Sequence, residues 1–147
     1  MRVMRCALLL AASLSAACGD ELPTEPTSPT TSLTGVWRGN IPVNNVSTTM
    51  SWTLTQTGTS VAGPVVIALP TGAVLMNGTA AGTLSGTTLA FTVTVPPGGI
   101  VLQPGCSGQI GGATTVVSST TMSGTYSVVN STCSTGLTNG TFNLTRQ

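Results

Sequence analysis

An all-β domain of about eight antiparallel strands, following one another up and down and closing as a barrel, is the fold that residues 33–147 predict. Three observations carry it. Apolar residues alternate with Thr and Ser at period two rather than 3.6, the mark of half-buried strands and not of helices. Gly, Pro and Asn clusters punctuate the alternation at intervals of roughly 10–14 residues, which leaves room only for short antiparallel connections. The domain is also rich in Thr, Val and Gly, and no stretch has the spacing of an amphipathic helix. The same strand count suits a β-sandwich, which stands as the alternative.

The strands are expected near 35–41, 48–57, 60–69, 73–82, 86–95, 106–117, 120–130 and 137–146. In the second, Met50, Trp52 and Leu54 alternate with Ser51, Thr53 and Thr55. Val61, Val65, Ile67 and Leu69 share one phase of the third. Leu89, Phe91, Val93 and Val95 do so in the fifth, Met122, Tyr126 and Val128 in the seventh, Phe142 and Leu144 in the eighth. Thr57-Gly58-Thr59, Pro70-Thr71-Gly72, Pro96-Pro97-Gly98-Gly99, Asn130-Ser131 and Thr135-Gly136 are expected as turns. A short pattern of apolar, polar, Gly and small residue recurs at Gly35, Gly63, Gly78, Gly86 and Gly124. Glycine within a strand marks a bend or a close backbone approach, and repeated bends suit a strongly coiled small barrel.

Charge narrows function. From Thr34 to Gln147 the only charged side chains are Arg38 and Arg146, and the chain has no His and no Lys. Two arginines cannot neutralise a phosphate backbone, so no nucleic-acid partner is expected. A metal site needs imidazole, carboxylate or grouped thiolates, so none is expected, nor any cofactor. General acid–base catalysis needs a group titrating near neutrality, and thiol or serine nucleophiles need a base, so no catalytic residue is assigned and the chain is not expected to be an enzyme. Five Asn-x-Ser/Thr sequons, at Asn45, Asn77, Asn130, Asn139 and Asn143, are what chance supplies in a Ser/Thr-rich chain.

The first 17 residues have another character. Two arginines precede a short apolar run, and small residues follow, as in a secretory signal peptide. Leu14-Ser15-Ala16-Ala17-Cys18 resembles the lipobox of bacterial lipoproteins, in which the cysteine thiol is diacylated and the signal is cut just before it. The match has Leu14 four residues before the cysteine, where three is usual, and Ser15 in the preferred aliphatic place. The resemblance implies lipidation of Cys18, a membrane as partner and a place in the cell envelope. Gly19, where an aspartate would retain a lipoprotein at the inner membrane, points to the outer membrane. Residues 18–32, with their Pro and Thr, read as an extended tether reaching up to about 40 Å at ~3.1 Å per residue.

Gly35-Val36-Trp37 resembles the calycin superfamily of lipocalins, fatty-acid-binding proteins and avidins, whose first strand opens with Gly-x-Trp and whose last ends in a basic residue. The resemblance implies that Gly35, Trp37 and Arg146 are structural, with Arg146 packed across Trp37 at the closed end of the barrel. Avidins hold biotin with several tryptophans and an aspartate; here Trp37 and Trp52 stand alone and the domain has no aspartate, so biotin is not the expected ligand. A small apolar ligand is the partner that calycins suggest. Its candidate site is the inward phase: Met50, Trp52, Leu54, Phe91, Val93, Tyr126 and Phe142. The same side chains equally suit a solidly filled interior. Oligomeric state is left open.

Of four cysteines, Cys6 belongs to the signal and Cys18 to the anchor. Cys106 and Cys133 remain, beside turns, in an exported compartment that permits disulfides. A hairpin of the sixth and seventh strands would bring them together at its open end.

Overall fold

The computed structural model describes residues 31–134 and 139–147. The signal, Cys18 and the tether up to residue 30 lie outside the described residues, as does the Thr135-Gly136 turn. Eight strands run in order: β1 (Gly35–Val43), β2 (Val46–Thr57), β3 (Ser60–Ala68), β4 (Val74–Ser85), β5 (Thr88–Val95), β6 (Gly108–Val116), β7 (Thr121–Ser131) and β8 (Gly140–Arg146). Each pairs antiparallel with the next, and β1 pairs β8 through Trp37↔Arg146 and Arg38↔Thr145, closing the barrel. No connection crosses over, so the sandwich alternative is excluded. Closure matters for a chain this poor in charge, because it leaves no long edge strand to pair with another chain.

The inward phase forms the core. Trp37, Trp52, Leu54, Val65, Ile67, Leu84, Leu89, Met122 and Leu144 are all buried, while the intervening Thr, Ser and Ala side chains face outward. Among the described residues two threonines are buried, and the hydroxyl of each donates to a main-chain carbonyl: Thr48 Oγ1 to Ile41 O at 2.7 Å, Thr114 Oγ1 to Ser123 O at 2.9 Å. Satisfied in this way, they avoid the desolvation penalty of an unpaired polar group.

Strand ends differ from the expectation where local chemistry shifts them. β1 and β2 extend to Val43 and Val46 because Asn44 and Asn45 take φ of 50° and 63° and form a two-residue hairpin. Asparagine tolerates that left-handed region, as a type I′ turn requires. β6 starts only at Gly108, because Cys106 and Ser107 belong to the preceding connection, and β8 only at Gly140. The recurrent glycines divide in role. Gly86 sits in the β4–β5 turn with φ 58°. At Gly63 and Gly124 a Cβ would lie 1.8 Å and 2.4 Å from carbonyl oxygens of the neighbouring strand, so the sheet bends through places only glycine can occupy. Pro64, next to Gly63, falls where the β2–β3 ladder lapses between Trp52↔Val65 and Thr55↔Ala62, so its missing N–H costs little.

The barrel ends are unlike. At one, Leu33 is fully buried beneath the strands, its N–H donating to Gln56 Oε1 and its carbonyl accepting from Trp37 Nε1 at 2.8 Å. The Arg146 guanidinium lies 4.7 Å from the Trp37 ring centre and donates to the Ser32 carbonyl. This end is plugged. The opposite end carries the β1–β2 hairpin, the β3–β4 turn, the long β5–β6 connection at 96–107 and the β7–β8 connection, and forms the mouth.

Candidate functional site

All seven side chains expected to line an interior pocket point inward and are buried. They fill the barrel more than they line it. Trp52 stands edge-on to Phe91 with ring centres 4.9 Å apart; Phe142 lies 5.5 Å from Trp52 and 5.9 Å from Phe91, and Tyr126 lies 6.3 Å from Phe142. Aromatic pairs at these separations gain beyond the area they bury. Beside them is a void of about 20 Å³, bordered by all the expected residues except Leu54. It has room for one water at most, and its walls are almost wholly hydrocarbon. Trp52 Nε1 is buried with no hydrogen-bond acceptor among the described residues. Burial in the same cluster raises the Tyr126 phenol above its ordinary value of 10.0. Of the two readings of the inward phase, the filled interior is the one the geometry displays.

A second, apolar concavity is at the mouth, where the residue pattern did not point. A cleft of about 310 Å³ opens between the 96–107 connection, the β1–β2 hairpin and the β3–β4 turn. Val43 and Val46 flank it from the β1–β2 hairpin, Ile67 and Leu69 from the end of β3, Leu75 and Met76 from the start of β4, and Ile100 and Leu102 from the connection itself. Asn44 and Gln103 supply its polar atoms. This volume is at the low end of the ~300–1,000 Å³ typical of small-molecule sites. Ile67 and Met76 also border the interior void, so they form the floor between cleft and core.

The 96–107 connection is a strap held to the barrel. Gly99 O accepts from Asn77 N at 2.6 Å, Val101 N donates to Leu75 O at 3.1 Å, and Ile100 bridges to Met76. Gln103 Oε1 accepts from Ser134 N at 2.9 Å. The expected disulfide joins Cys106 to Cys133 with Cα atoms 5.0 Å apart, each two residues beyond the last β6–β7 pair, Gly108↔Ser131. It therefore ties the strap to the end of β7. Sequence reasoning found the bond and missed the cleft it braces. The available signal was Ile100-Val101-Leu102, an apolar run inside a long, turn-rich connection.

Gly35 and Trp37 open β1, and Trp37 carries Arg146 across its face. Arg146 Nε is buried and finds no partner among the described residues. No known family's sequence profile matches the chain, and no curated protein matches it. Among solved structures, a redesigned β-barrel is similar with a TM-score of 0.59 and 16% identity, over 82% of this chain and 99% of that one. At that identity the likeness shows the fold alone.

Proposed function

We propose that the protein is a non-enzymatic lipoprotein of the bacterial envelope, anchored to the outer membrane through acylated Cys18, whose barrel holds a small apolar ligand at its mouth. The observation that carries the binding part is the 310 Å³ cleft, walled by eight aliphatic or thioether side chains from four elements. The anchor rests on Leu14-Ser15-Ala16-Ala17-Cys18 following a charged and then apolar N-terminus. Several acyl chains on one residue hold a protein stably, where one chain holds it marginally. The scarcity of titratable side chains in the domain supports a binding role over a catalytic one.

Cys18→Ser should move the protein from the membrane fraction to the soluble one; unchanged fractionation would remove the anchor. Native mass spectrometry of the purified full chain should show a bound hydrophobic mass that Leu102→Asp abolishes. The packed interior favours one second reading, a tethered interaction module without a small ligand. A chain that is repeatedly empty would select it.

A further inference from the structure

We infer that the rim of the mouth is a membrane-contact surface, which sets the cleft against the hydrocarbon of the bilayer; this deepens the anchored, ligand-binding reading and rests on it. Six large apolar side chains are exposed among the described residues; Leu102 at 80% and Val46 at 48% border the cleft, and Val101 at 54% and Val74 at 38% adjoin its lining residues Ile100, Leu102 and Leu75 along the chain. They come from the β1–β2 hairpin, the start of β4 and the strap, three segments that the up-and-down topology brings to one end. Grouped exposure of this kind marks an interaction site, whereas single exposed apolar residues do not.

Charge decides which partner fits. Arg146 lies at the plugged end, and Arg38 pairs with Thr145 beside it. By sequence, no other residue from Thr34 onward is charged. The rim thus has nothing to pair with a charged protein surface and nothing that lipid headgroups repel. What remains is insertion of short aliphatic side chains among acyl chains, driven by burial of apolar area. Four such residues give weak binding in free solution, but a tether converts it into an intramolecular event at high effective concentration.

The tether has the reach. It joins the barrel at Leu33, at the plugged end. The longest strands have 12 residues, and at ~3.3 Å per residue and a tilt of ~40° the barrel stands roughly 30 Å tall. Residues 18–31 span up to about 40 Å when extended. A barrel anchored at its base can therefore lie over and lay its mouth on the same membrane.

The test places a reporter at each end. Leu102→Trp at the mouth and Val117→Trp, which is in the β6–β7 turn at the plugged end, are compared in the full chain, both as wild type at residue 18 and as Cys18→Ser. Each chain is reconstituted with phosphatidylcholine vesicles brominated in the acyl chains. The fluorescence added by residue 102 should be lost to bromine quenching, and that added by residue 117 retained, at low and high salt alike. Quenching at 117 instead of 102, or at neither, overturns the proposal. So does a concentration-dependent blue shift at 102 in a vesicle-free dimer, which would make a second copy the occupant. If the anchor reading alone fails, chains with and without Cys18 associate with vesicles identically, and the contrast between 102 and 117 still decides the rim.

Discussion

Trp37 and Arg146 show how much a single residue pair does at the plugged end. The indole nitrogen fixes Leu33, the ring face takes the guanidinium, and the guanidinium reaches the Ser32 carbonyl. Arg146→Gln should lower unfolding free energy by about 1–2 kcal/mol in urea melts, as expected for a partly desolvated cation–π contact. Tyr126 contributes to the response to pH. Its phenol is raised by burial, so the neutral form is favoured in the fold. Its contribution is fully present below the unfolded value near 10 and is lost as pH rises through the higher folded value. Thermal melts should therefore be flat from about pH 5 to 9 and fall beyond about pH 10, a fall that Tyr126→Phe reduces. At this scale the inward residues were legible, because period two maps directly onto the two faces of a strand. Whether they enclose space was not. That depends on how four aromatic rings stack across strands, and alternation says nothing about it.

Among the elements, turns and bends set the barrel's shape. Gly63→Ala would press a Cβ to 1.8 Å from the Thr53 carbonyl oxygen, against β2 main chain that has no flexible end to give way. It should cost more than about 2 kcal/mol, as overpacking against backbone does. Gly58→Ala at the β2–β3 turn meets nothing within 4 Å and bears only its positive φ of 60°, a penalty of roughly 1 kcal/mol. Urea midpoints of the two variants test this order. Breaking the Cys106–Cys133 bond opens a loop with a sequence separation of 27, worth about 3–4 kcal/mol in the chain-entropy model, and frees one end of the strap. Melts with and without reductant should show that loss. The disulfide was readable from cysteine sorting and hairpin geometry. The strap was not, because a long connection has no periodicity and its docking on β4 depends on main-chain bonds between Asn77 and Gly99 and between Leu75 and Val101.

For the molecule as a whole, the asymmetry of its ends organises the account. One end is plugged by Leu33, Trp37 and Arg146; the other is apolar, uncharged and concave. Closure into a barrel was foreseeable from strand number and short turns, but the location of the cleft was not. The inward residues suited either a pocket or a filled core, and the interior is filled. The central claim is that binding occurs at the mouth and not within the barrel. Methyl NMR of the full Cys18→Ser chain, titrated with decan-1-ol as a neutral apolar probe, addresses it directly. Saturable shifts are expected at Val43, Leu69, Leu75, Ile100 and Leu102, with Val65 and Val93 deep in the core unmoved. Shifts centred on Val65 and Val93, or none at the mouth, would contradict it.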